Sequence, residues 1–322
     1  MPTLPSYNTI NGEAQPLLPQ ASASKLRQRK QGLVMAALSA VLFAALGQLR
    51  QGIEEYDSVP PLQAMFWRYL VQAMVALAVC GWLKVKPVNM QAGWKRFWWV
   101  VMRAVFGSVG QLIFTITSTK IGEDTATALF YSNTLFAALF AYWLLGERLG
   151  KAATCAVVGA ALIAMPMGPA AWRLDFSYQL RVAWTLIGAM AVATTCVSIH
   201  IAGRLINPML HVFWLSVSGA IAALLFSYLF GEYSWTVTFQ QSSTITWLSL
   251  LGVGAGSCFA QYLLCFALQL AEAGPVVVVR NCDIALTFIA NVTFGSRLPL
   301  DRTAALGCIV LVASAYVMCK RQ

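Results

Sequence analysis

The chain has 322 residues, of which 59% are hydrophobic and only 11% charged, with a net charge of +10. Soluble domains carry roughly 25% charged residues, so a water-soluble globule is excluded and the bilayer is the implied solvent. The positive balance does not point to nucleic acid, because most Lys and Arg sit in short segments beside apolar runs rather than on a recognition fold.

Residues 1–32 are polar and end in a basic run, Lys25, Arg27, Arg29 and Lys30. With no apolar core they do not make a signal peptide, and they are expected to be a disordered cytoplasmic tail. From Leu33 onward the hydropathy predicts ten transmembrane helices, at about 33–53, 61–82, 97–118, 125–145, 152–168, 182–203, 208–230, 246–269, 275–295 and 303–319. The eight cysteines fall within or at the ends of these spans, with no C-x-x-C pair. Each is therefore expected to be a small buried apolar residue.

Ten spans put both ends of the chain on one face. Lys84, Lys86, Lys95, Arg96, Arg148, Lys151, Arg204, Lys320 and Arg321 join the basic tail there, while Glu54, Glu55, Asp57, Glu123 and Asp124 fall opposite. Basic loops stay on the cytoplasmic side, so both termini are expected to be cytoplasmic, in a plasma membrane or an endomembrane.

The chain also repeats. Phe66-Trp67 in span 2 matches Phe213-Trp214 in span 7, Trp98 and Gly107-Ser108 in span 3 match Trp247 and Gly256-Ser257 in span 8, and Gly146-Glu147-Arg148-Leu149 matches Gly295-Ser296-Arg297-Leu298. The offset is about 148 residues throughout. Residues 33–169 and 170–322 thus form two five-helix repeats, and an odd number of spans per repeat inverts the second relative to the first. The fold class is an all-α multi-pass membrane protein in which two inverted bundles enclose a site near the midplane.

Arg103-Ala104-Val105-Phe106-Gly107-Ser108, Gly146-Glu147-Arg148-Leu149, and Ala267-Leu268-Gln269 leading to Ala273-Gly274-Pro275-Val276 resemble the drug/metabolite transporter superfamily of EamA type. Within it the similarity is to the G subfamily of solute carrier family 35, over nearly everything after residue 32. The resemblance implies a ten-helix transporter with a central cavity, and relatives with substrates from nucleotide sugars to organic acids and amino acids. Ser296 stands where the first repeat has Glu147, so an acidic residue there is not a symmetric requirement.

Charge inside a bilayer helix costs on the order of 3 kcal/mol, so it faces protein or a wet cavity. Arg280 and Arg68 are candidate substrate contacts, since a guanidinium binds carboxylate or phosphate with parallel hydrogen bonds. Asp283 lies one turn from Arg280, where it can close an internal ion pair or carry a coupled proton. Arg68, between Trp67 and Tyr69, also suits the membrane interface. Arg103 can snorkel to the headgroups or reach a ligand. Gln111, Tyr131, Asn281 and Gln261, with Gln72, offer hydrogen bonds to a solute or between helices. His200 and His211 have no ligand-spaced companions and read as satisfied structural residues. Gly107, Gly110, Gly252, Gly254 and Gly256 allow close helix approach or bending.

These features make a secondary transporter that moves a small polar metabolite, an organic anion of carboxylate, phosphate or nucleotide-sugar type, by alternating access. The alternatives are a neutral or cationic substrate such as an amino acid or drug, and a non-transporting membrane adaptor. No nucleotide-binding loop, catalytic constellation or metal-ligand cluster is evident, so no enzyme, cofactor or metal is expected. The partners to expect are the solute, the lipid bilayer and, in a homodimer, a second copy.

Overall fold

The computed structural model describes residues 18–56, 59–85, 93–121, 126, 129–130, 132–146, 176–229, 243–293, 309 and 313. All regular structure among them is helical: α1 (Leu18–Tyr56), α2 (Pro61–Trp82), α3 (Trp94–Ile121), α4 (Asn133–Leu145), α5 (Phe176–Ala202), α6 (Pro208–Leu229), α7 (Thr244–Leu270), α8 (Ala273–Arg280) and α9 (Cys282–Thr293). Six contain stretches long and apolar enough to cross a membrane: Leu26–Arg50 within α1, and α2, α3, α5, α6 and α7. The expected spans 152–168 and 303–319 lie outside the described residues, apart from isolated positions, as does the first half of span 125–145.

Local chemistry sets the ends. Proline occupies the first position of α2 and α6, where its missing N–H goes unmissed. Asn207 caps α6 by accepting from the Met209 N–H at 2.9 Å, and Ser243 caps α7 by accepting from the Thr246 N–H at 3.2 Å. Gly146 closes α4 at φ 68°.

Two departures from the sequence reading matter. Helix α1 begins at Leu18, so residues 18–32 are a polar helical extension and not a disordered tail. Lys, Arg, Gln, Ala and Leu favour helix, and Arg29 in the extension pairs with Glu272 at 2.9 Å. The expected span 275–295 is broken at Asn281 (φ −73°, ψ 2°) into α8 and α9.

Among the described residues, the most extensive packing joins helices far apart in the chain. Helix α3 lies on α5 and α6, α1 on α7, α8 and α9, α2 on α6 and α7, and α4 on α5 and α8. The largest core cluster is rich in small residues: Ala36, Ala137, Ala141, Ala193, Ala267, and the buried free cysteines Cys80, Cys196, Cys258 and Cys265. Small side chains let helices approach where lipid removes the hydrophobic drive to associate. Large apolar side chains face outward, with Trp82, Trp94, Trp143 and Phe176 at helix ends, as in an interfacial aromatic belt.

The glycines divide into two kinds. A Cβ on Gly110 would lie 2.8 Å from the Gly188 carbonyl oxygen of α5, and one on Gly254 2.6 Å from Val71 of α2, whereas one on Gly252 meets nothing within 4 Å. Gly110→Ala forces two backbones apart, so a stability loss of about 1–3 kcal/mol is expected. Thermal unfolding in detergent should show a lowered midpoint for Gly110→Ala and none for Gly252→Ala.

Candidate functional site

Helical spacing brings polar side chains to one hollow. Phe43, Gly47 and Arg50 lie one turn apart on α1, Arg68 and Gln72 on α2, Gln111 and Phe114 on α3, and Val253, Ser257 and Gln261 on α7. Arg280, Asp283 and Thr287 follow the same spacing across the α8–α9 break, and with Tyr69 and Phe130 they enclose a cavity of ≈190 Å³. A smaller hollow of ≈110 Å³ shares Arg50, Arg68 and Val253 with it and continues to Pro61, Ser118 and Thr119, at the end of the bundle where α1 and α3 finish and α2 begins.

Three guanidinium groups and one carboxylate therefore border the main cavity among the described residues. Arg280 sits 5.1 Å from the centre of the Phe43 ring, and Arg68 4.6 Å from that of Tyr69, each a cation over an aromatic face. Arg280 contacts Asp283 at 3.6 Å and donates to Asn281 Oδ1 at 3.1 Å. The ion pair that the sequence allowed is thus present, and Arg280 lines the cavity as well. Arg68 also lines the cavity. Gln72 is 1% exposed, and its Nε2 has no hydrogen-bond partner among the described residues.

Toward the start of α3 a hydrogen-bonded network joins the helices. Arg103, 2% exposed, donates to the His211 carbonyl at 2.8 Å, to Gln261 Oε1 at 2.9 Å and to Cys265 Sγ at 3.3 Å. It therefore neither snorkels nor borders the cavity; it fastens α3 to α6 and α7. Around it Arg204 Nε donates to the Gln269 carbonyl at 3.0 Å, Gln269 Nε2 to the Ile206 carbonyl at 2.8 Å, and His200 Nδ1 lies 2.9 Å from the Leu268 carbonyl.

Of the residues chosen from sequence, the structure brings together Arg280, Arg68, Asp283, Gln111 and Gln261 at the cavity. Asn281 lies fully buried behind Arg280, and Tyr131 is outside the described residues. His200 is satisfied as expected, but the buried His211 ring has neither nitrogen hydrogen-bonded among the described residues. Arg50, Tyr69 and the cavity-lining Phe43 and Phe114 were missed. Arg50 carried a signal, in that it continues the Phe43, Gly47 spacing of α1 by a further turn.

Residues 30–165 match the EamA-like transporter family. The chain is 24% identical over 293 residues to human (Homo sapiens) solute carrier family 35 member G1, covering 88% of this chain and 77% of that protein. It is 22% identical over 293 residues to the pseudopaline exporter CntI of Pseudomonas aeruginosa, covering 88% of this chain and 94% of that one. A crystal structure of a protein with 17% identity aligns with a TM-score of 0.72 over 90% of this chain and 99% of its own, a likeness of fold.

Proposed function

Because the chain belongs to the EamA-type drug/metabolite transporters, with a sequence like the G subfamily of solute carrier family 35, we propose that this membrane transporter carries a small organic anion of carboxylate, phosphate or nucleotide-sugar type. The observation that carries the reading is the convergence of Arg50, Arg68 and Arg280 on one cavity whose lining, among the described residues, holds one carboxylate, Asp283. Arg forms parallel hydrogen bonds to carboxylate and phosphate, and aromatic rings behind Arg68 and Arg280 support the cations without neutralising them. The amides of Gln72, Gln111 and Gln261 add uncharged donors for orientation.

Transport proceeds by alternating access in this reading. Arg103 joins α3 to α6 and α7, the bundle is hollow toward Pro61 and Ser118, and among the described residues the main packing runs between rather than within the halves. Residues 33–169 and 170–322 rock as two inverted five-helix repeats of a ten-helix chain, with the Arg103 end and both termini on the cytoplasmic side.

A second reading, a neutral or cationic substrate, is favoured by the Arg280 to Asp283 contact, which lowers the net charge of the site. Reconstituted proteoliposomes challenged with acids, phosphate esters, neutral amino acids and cations should accumulate members of the first two groups, competing with one another. Uptake confined to neutral or cationic solutes would overturn the anion reading.

A further inference from the structure

The break between α8 and α9 is where the neighbour of Arg280 is bound to α4. Asn281, at the break, is fully buried, and both ends of its carboxamide are engaged. Its Oδ1 accepts from Arg280 at 3.1 Å, while its Nδ2 donates to Thr134 Oγ1 and to Asn133 Oδ1 at 3.4 Å, both in the first turn of α4. Chemistry fixes the direction of the chain: a guanidinium only donates, so the amide oxygen must face Arg280 and the NH2 group must face α4. Asn133 and Asn281 are also related by the repeat offset, so corresponding points of the two halves meet here.

Two further contacts of Arg280 are less directional. Asp283 stands at 3.6 Å, beyond a well-formed hydrogen bond, and Phe43 offers a ring face that tolerates rotation of the cation. The short bond to Asn281 sets how the guanidinium fork is presented to the cavity, and the amide can hold that pose only while α4 holds the amide. Fork orientation decides whether an anion meets two donors or one.

We propose that Asn281 is a positioning residue that makes high anion affinity at Arg280 conditional on the docking of α4. When the halves move apart, the contact of Asn281 with Asn133 and Thr134 opens, the fork loses its orientation and the anion is released. The inference rests on the reading of Arg280 as the anion contact.

The test titrates the purified full-length protein in nanodiscs with succinate and, separately, inorganic phosphate at constant ionic strength, following tryptophan fluorescence and thermal midpoint. Wild type should respond to at least one of them. Asn281→Ala and the pair Asn133→Ala with Thr134→Val should each weaken binding about tenfold. In an Arg280→Lys background, which keeps the charge but lacks the fork, the α4 substitutions should change affinity no further, although any loss of midpoint in anion-free buffer remains. Thr134→Val alone, nearly isosteric, serves should the others fold poorly, and should weaken binding severalfold. Unaltered anion affinity in the α4 variants, or an equal loss in both backgrounds, overturns the positioning role and leaves the anion reading standing. A wild type that responds to neither probe overturns the anion reading and this inference with it.

Discussion

Replacing Arg280 by Gln should lower uptake of the transported anion about a hundredfold. The loss corresponds to about 3 kcal/mol, the size of a charge-assisted contact removed from a partly desolvated site. The same change leaves Asp283, 6% exposed at its side chain, without its guanidinium neighbour, so some stability is lost as well. The double variant Arg280→Gln with Asp283→Asn removes both charges and should recover the thermal midpoint without recovering uptake. If it recovers both, the pair is structural and the substrate does not need the cation. Proteoliposome uptake and thermal unfolding on the same preparations decide between these outcomes.

The largest loss of stability is expected at Arg103. Its hydrogen-bond partners among the described residues are uncharged, a backbone carbonyl, an amide and a thiol, and it joins three helices. Arg103→Ala takes one donor from the His211 carbonyl, which keeps its helical partner, and the donor from Gln261 Oε1, at about 1–2 kcal/mol each, and leaves a void where the stem packed. A total of about 3–5 kcal/mol is expected, read as a large drop in thermal midpoint in detergent. Arg103→Lys reaches fewer acceptors and should fall between Ala and wild type. A midpoint unchanged in Arg103→Ala would show that the tie does not hold the bundle.

Much of the scaffold was legible. Helices α2, α3, α5, α6 and α7 start and stop close to the expected positions, because long apolar windows are bounded there by Pro, Gly, Asn and Ser, whose backbone preferences are local. The beginning of α1 was not, since hydropathy falls where Lys25 to Gln31 begin although these residues favour helix. Nor was the α8–α9 break, because Asn281 has no Gly or Pro beside it and so carries no turn signature. In the site, the i, i+3 spacing exposed the Arg280 and Asp283 pair. Arg103 was misjudged for a physical reason: its distance from the helix end permits snorkelling, and only the tertiary fold shows that acceptors from α6 and α7 reach it first. Arg50 was missed because α1 was expected to end near it, whereas the helix runs on to Tyr56 and turns that side chain into the hollow.

The tie at Arg103 has a bearing on how the protein is made. Each of its acceptors, His211, Gln261 and Cys265, lies more than a hundred residues later in the chain. When α3 leaves the ribosome, none of them has been synthesised, and a guanidinium cannot remain in hydrocarbon without them. During translation its long stem must keep the charge at the water's edge, and α3 can settle to its final depth only after α6 and α7 have been inserted beside it.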